Sequence, residues 1–104
     1  MVLTREFKEL VRARAERSPK FRAALLKEAV ETMLSGDVAA GKAVLRDYIN
    51  ATIGFERLGR ATGTSPKSLM RMFGPAGNPR SDNLFGVISL LQKEAHLKLH
   101  VSAK

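Results

Sequence analysis

The chain has no cysteine and no tryptophan. The first absence excludes disulfides, thiolate zinc centres and a cysteine nucleophile. The second leaves five phenylalanines and one tyrosine as the whole aromatic complement. No apolar run approaches the roughly 18 residues that a membrane helix needs. Met1-Val2-Leu3 meets Arg5 and Glu6 at once, which is no signal-peptide core, so the expected compartment is the cytoplasm. Acidic residues are scarce, with 10 Asp/Glu against 18 Lys/Arg, and the net charge is +8.

What is there suits a small folded domain. A chain of 104 residues with 44% hydrophobic content can bury a core without metal or disulfides. The charge is unevenly spread. Residues 1–35 carry eight Lys/Arg against five Asp/Glu, and residues 36–53 are neutral. Residues 54–81 carry Arg57, Arg60, Lys67, Arg71 and Arg80 against Glu56 alone. The least-opposed positive charge therefore falls on one short stretch, as polyanion binding requires.

That stretch, residues 54–73, reads GFERLGRATGTSPKSLMRMF. Two short apolar-containing segments meet at Gly63, which is the pattern of a helix-turn-helix. Gly63 suits a corner that needs positive φ. Ser65 can cap the second helix, and Pro66 fits its first position, where no backbone donor is needed. Leu69, Met72 and Phe73 recur at i, i+3 and i+4 and can anchor that helix to a core. Ser65, Lys67, Ser68, Met70 and Arg71 are then the candidates for reading base edges. Arg57, Arg60, Thr64, Asn78 and Arg80 are the candidates for phosphate contacts.

The rest of the chain reads as helices around this unit. Thr4 is a plausible cap for a first helix running to about Arg17, with Leu3, Phe7, Leu10 and Val11 as its apolar stripe. Ser18-Pro19 opens a second helix, whose face is Phe21, Leu25, Leu26, Ala29, Val30, Met33 and Leu34. Gly36 stops it and Asp37 caps a third, with Val38, Val44, Leu45, Tyr48, Ile49 and Thr52 inside. After Phe73 the run GPAGNP cannot be helix interior. Ser81 or Asp82 caps a last helix carrying Leu84, Val87, Ile88, Leu91 and Ala95, widened by Phe85 and Leu90. Residues 97–101, LKLHV, alternate apolar and polar, which predicts a short C-terminal β-strand. A lone strand needs a partner strand or a helix to dock on, and a twofold-related copy of the same tail would supply one.

The expected fold is thus all-α, a compact bundle of about six helices holding a Cro/repressor-like helix-turn-helix, with that strand at the end. Residues 1–53 form an N-terminal helical region on the same core as the helix-turn-helix region of residues 54–104.

Catalytic chemistry finds little support. Residues 36–42, GDVAAGK, fit G-x-x-x-x-G-K, but Ala43 stands where a phosphate loop needs a hydroxyl, and a helix end precedes it instead of a strand. His96 and His100 lack the converging ligands of a metal site. Ser65 and Ser68 have no activating base. No enzyme activity, cofactor or metal is expected. RNA binding is disfavoured because Phe7, Phe21, Tyr48, Phe55, Phe73 and Phe85 fall mostly on core stripes.

The run DYINATIGFERLGRATGTSPKSLMRMFGPAGNPRSDNLFGVISLL resembles the addiction-module antidote proteins of the HigA type, within the Xre or phage Cro/repressor class. The likeness is most specific at residues 47–52, at residues 63–69 and at Gly77-Asn78-Pro79, and it extends upstream through Gly36-Asp37 and residues 41–46. Thr62 and Thr64 depart from it at the corner. The resemblance implies a bacterial type II antitoxin, nucleoid-associated when bound to DNA. It further implies a homodimer that binds double-stranded DNA at its own operator and neutralises a cognate toxin, commonly a small RelE-like ribonuclease. Such toxins are usually basic, which places toxin contact near Glu6, Glu9, Glu16, Glu28 and Glu31. Two alternatives stand beside this: a stand-alone phage-type repressor, and a protein-interaction module that no longer binds DNA.

Overall fold

The computed structural model describes residues 4–104. Six helices follow in order: α1 (Arg5–Arg17), α2 (Pro19–Leu34), α3 (Val38–Ala51), α4 (Phe55–Thr62), α5 (Pro66–Met72) and α6 (Ser81–Glu94). Their starts are set by local chemistry. Side chains of Thr4, Ser18 and Asp37 accept hydrogen bonds of 3.1 Å from the backbone N–H groups of Phe7, Phe21 and Ala40. Each satisfies a donor that the first helical turn leaves open, a contribution of about 1 kcal/mol. Helices α4 and α6 are the exceptions, and α4 starts from Gly54, which has no side chain to offer. In α6, Arg80 holds the cap position without a side-chain bond, whereas Ser81 or Asp82 was the expected cap. Asp82 lies inside the first turn, where its carboxylate accepts from the Asn83 N–H at 3.0 Å.

The most extensive packing is α2 against α3. It depends on small residues at the crossing. A Cβ at Gly41 would fall on the Met33 side chain and lie 2.9 Å from the Ala29 carbonyl oxygen. Gly41 is thus explained by helix contact, and Gly36, at φ 103°, by the stop between α2 and α3. One apolar cluster runs through Leu26, Ala29, Leu45, Tyr48, Ile49, Phe55, Leu58, Leu69, Phe73, Val87, Ile88 and Leu91, so all helices from α2 to α6 share it.

Helix α1 joins that body differently from the expected stripe. Leu3 lies outside the described residues. Phe7 and Leu10 are 50% and 68% exposed. Of the expected stripe only Val11 packs, half-buried, and it is joined by Ala15, fully buried. Ala15 allows α1 close to its neighbours, and its carbonyl accepts from the Arg22 guanidinium. Arg14 stacks over the Phe21 ring at 5.2 Å, a second fastening of α1 to α2. Leu34, Val38 and Phe85 are likewise exposed, so the apolar faces read for α2, α3 and α6 are each narrower than expected.

The C-terminal strand is not formed: no β-strand occurs among the described residues. The alternation holds as far as His100, while Val101 is 83% exposed. Leu97 and Leu99 are partly buried against the core, while Lys98 and His100 face outward. What replaces a ladder is docking on α6. The Leu97 N–H reaches the Gln92 carbonyl at 3.0 Å, and the Leu99 N–H reaches the Gln92 side-chain oxygen at 2.9 Å. His96 turns the chain there with a φ of 54°. A pairing of tails across a twofold axis therefore has no strand to build on in this structure.

Lys8 on α1 faces Asp47 on α3, beside Arg46. Burial raises the Asp47 carboxyl above the usual range, and the two cations pull it only part of the way back. A carboxyl raised on folding holds its proton more tightly in the folded chain, so stability falls as pH rises from the ordinary carboxyl value towards the raised one, and the cost of the charged form persists above it. Asp47→Asn removes this cost. Urea denaturation is expected to show the variant gaining stability over the native chain between about pH 4 and pH 7, with the two converging in acid. A variant less stable at neutral pH would mean that attraction to Lys8 and Arg46 outweighs burial.

Candidate nucleic-acid interface

Helices α4 and α5 meet at a tight corner. Gly63 has φ 73° and closes α4, its N–H bonded to the Gly59 carbonyl at 2.8 Å. The Thr64 N–H reaches the same carbonyl at 3.2 Å. Gly59 matters as much as Gly63, for a different reason. A Cβ there would sit 2.7 Å from the Thr64 carbonyl oxygen and 3.3 Å from the Pro66 ring. Only a bare Cα lets α5 start so close to α4. The polar Thr62 fits because its hydroxyl donates to the Leu58 carbonyl at 2.8 Å.

Helix α5 is fixed from three sides. Ser65 caps it, accepting from the Ser68 N–H at 3.1 Å and donating to the Ser68 hydroxyl oxygen at 2.9 Å. Leu69 and Phe73 are buried in the core. Phe73 also meets Phe55 of α4, with ring centroids 6.5 Å apart and a 47° tilt, which adds about 0.5–1.5 kcal/mol beyond the buried area. The end of α5 is held from α3. Lys42, only 6% exposed, donates to the carbonyls of Gly74, at 3.4 Å, and Gly77. Arg46 donates to the Phe73 carbonyl at 3.2 Å. The Phe73 carbonyl lies at the electronegative end of the helix, where a cation is favoured, and the Gly74 and Gly77 carbonyls belong to the turn that follows.

The outer side of α5 is what this framework presents. Lys67, Met70 and Arg71 are exposed, Met70 by 48%, and Ser68 is half-buried. Lys67, Met70 and Arg71 line one shallow groove with residues 74–77. Arg60 and Ser65 line a second hollow at the corner with Glu56, Thr64 and Pro66. Arg60, Lys67 and Arg71 have no ion pair among the described residues, which leaves their charge for an outside anion.

The remaining candidates divide. Arg57 pairs with Glu94 at 2.9 Å and ties α4 to α6. Arg80 pairs with Asp82 at 3.1 Å. Both pairs are largely exposed and so are worth little, about 0–1 kcal/mol, which a phosphate can replace. The Ser65 hydroxyl already meets both the N–H and the hydroxyl of Ser68, so a base edge would compete with the cap for it. Thr64 is half-buried and Asn78 exposed in the turn after α5.

Sequence reasoning passed over Lys42, Arg46 and Gly59. A signal for the first two was present. Two cations spaced i, i+4 beside Leu45 and Ile49 do not belong on an apolar face unless a buried acceptor awaits them. The acceptors are the carbonyls of a helix end followed by a Gly-Pro turn.

His96 and His100 are exposed. No group of metal-ligating side chains gathers among the described residues, and no described helix is long and apolar enough to cross a membrane. Searches against family models, curated proteins and solved structures find no match. The likeness to antidote proteins therefore rests on the residue blocks alone.

The corner generates a stability prediction. Gly59→Val forces a side chain onto the Thr64 carbonyl and Pro66 and is expected to cost about 1–3 kcal/mol. Ser65→Ala removes only the cap and is expected to cost about 1 kcal/mol. Thermal or urea unfolding of both variants measures the difference. Equal costs would mean that α5 does not depend on the close approach at Gly59.

Proposed function

We propose that the chain is a sequence-specific DNA-binding repressor, acting as the antitoxin of a type II toxin–antitoxin pair. The observation that carries this reading is the exposed row of Lys67, Met70 and Arg71 on a short helix locked from behind. In this proposal α5 enters the major groove of the protein's own operator. Lys67 and Arg71 donate to guanine O6 and N7, and Met70 packs on a thymine methyl. Arg60, Thr64, Asn78 and Arg80 take phosphates, and Arg57 does so by exchanging Glu94 for a phosphate oxygen. A homodimer presents two such helices about 34 Å apart, one turn of the duplex. The toxin, a RelE-like ribonuclease in this reading, docks on the N-terminal helices. The exposed Phe7 and Leu10 of α1 support a protein partner there. They equally favour a second reading, in which the chain is an interaction module that does not bind DNA.

A gel-shift titration separates the two. It compares DNA from upstream of the protein's own gene with scrambled DNA of equal length, at two salt concentrations. Preference for the upstream DNA that persists at the higher salt is the expected result. Equal binding that vanishes with salt would mean that the +8 charge alone makes the affinity, and the interaction-module reading would take its place. Within the same assay, Arg71→Ala is expected to lose about 1–3 kcal/mol of discrimination at the base it reads. Arg60→Ala is expected to weaken all sequences alike and to lower the salt slope by about one. Identical losses from both on every sequence would refute this division of roles.

A further inference from the structure

We infer that Lys42 and Arg46 are positioning residues for DNA reading, setting how the far end of α5 and the turn after it sit against the duplex. The inference rests on the DNA-binding reading proposed above. Helix α5 has only seven residues, Pro66–Met72, and its start is fixed by the Gly59–Gly63 corner. A helix so short, held at one end, can still swing about that end. Two buried apolar anchors, Leu69 and Phe73, oppose the swing but carry no directional bond. The directional bonds come from α3. Arg46 holds the Phe73 carbonyl, and Lys42 bridges the carbonyls of Gly74 and Gly77.

The turn is built to be gripped in this way. The Gly77 N–H bonds to the Gly74 carbonyl at 3.0 Å, which folds the two carbonyls toward one ammonium. A Cβ at Gly77 would fall onto the carbonyl oxygens of Arg71 and Met72, so the turn lies flat on the last turn of α5. Arg71, the leading base-reading candidate, sits inside this arrangement, with Asn78 and Arg80 directly after it. Lys42 and Arg46 touch no DNA in the proposal. They act through the backbone that carries Arg71, Asn78 and Arg80.

The charges around the grip are named readily. Asp47 lies next to Arg46 and also faces Lys8. Lys42 has no carboxylate partner among the described residues. Its ammonium is satisfied by main-chain oxygens. Replacing it by Met keeps the apolar stem while removing the donors; the Gly74 carbonyl keeps the Gly77 N–H, and both glycines are only half-buried, so water can take the place of the ammonium.

The test compares Lys42→Met, Arg46→Met and Arg46→Lys with the native chain. Three quantities are read: thermal unfolding, hydrogen exchange across residues 72–78, and affinity for upstream against scrambled DNA. The expected result is that both Met variants stay folded and exchange faster in residues 72–78. Their upstream affinity falls roughly tenfold or more, while low-salt binding to scrambled DNA changes by less than about twofold. Arg46→Lys, which keeps a donor for the Phe73 carbonyl, restores most of the preference. Loss of both DNAs in step with a lower folded fraction would overturn the inference and leave the two residues a structural role only. Unchanged preference in both Met variants would overturn it as well. A native chain without preference removes the DNA-reading proposal itself, and that failure shows before any variant is made.

Discussion

Helix α5 is closed at its far end by the carbonyls of Phe73, Gly74 and Gly77, and two cations from α3 hold them. A seven-residue helix gains little from its own hydrogen bonds, because nucleation costs most of what one or two turns return. Its existence depends on being held. The corner at Gly59 and Gly63 holds the start, Leu69 and Phe73 hold the inner side, and Lys42 and Arg46 hold the end. The exposed side is then the only one left without a structural duty, and it carries Lys67, Met70 and Arg71. Function, on the reading proposed here, is what remains when every other side of α5 is spent on its own support.

This dependence changes the meaning of α3. From the sequence alone, residues 36–53 are electrically neutral and pass for plain core. In the structure the same residues divide by charge. Asp37 caps α3, Asp47 is half-buried beside Lys8 and Arg46, and Lys42 is buried against main-chain oxygens. A buried ammonium is costly unless its hydrogen bonds are met, and here they are met by a turn that few other groups could close. The Gly-Lys pair that imitates a phosphate loop is explained twice over without a nucleotide. Gly41 gives α2 its approach to α3, and Lys42 reaches the turn after α5.

The features legible in the sequence are those whose causes are local. The caps at Thr4, Ser18, Asp37 and Ser65 involve residues three apart, and all four form as read. Gly63 declares a positive φ by its own nature. The illegible features are those in which a residue's partner is distant in the chain. Phe7 and Leu10 look like a core stripe with Val11 until α1 packs on α3 through Val11 and Ala15 and leaves both exposed. Gly59 looks like a weak point in a helix until Thr64 and Pro66 crowd its Cα. The tail is the instructive case. Alternation correctly reports that Leu97 and Leu99 are covered, though not the exposed Val101, and it carries no information about what covers them. A strand ladder and a side-chain amide on a helix leave the same trace in the sequence, and here the cover is α6 with Gln92.

The same reasoning orders the candidate cations. A basic patch read from composition counts Arg57, Arg60, Lys67, Arg71 and Arg80 as equals. Geometry separates them by what each must give up to meet a phosphate or a base. Arg57 and Arg80 would release Glu94 and Asp82, exposed partners whose hold is weak. Arg60, Lys67 and Arg71 would release only water, because no carboxylate meets them among the described residues. Exposed pairs and phosphate contacts both weaken as salt rises, the phosphate contacts more steeply because they release counterions. On the DNA-binding reading proposed above, the free energy of binding would then fall mainly on the three unpaired cations. Two of them, Lys67 and Arg71, stand on the helix that Lys42 and Arg46 hold still. Charge supplies attraction along the whole basic stretch, but only where the backbone is fixed does that charge acquire a direction, and direction is what distinguishes one base pair from another.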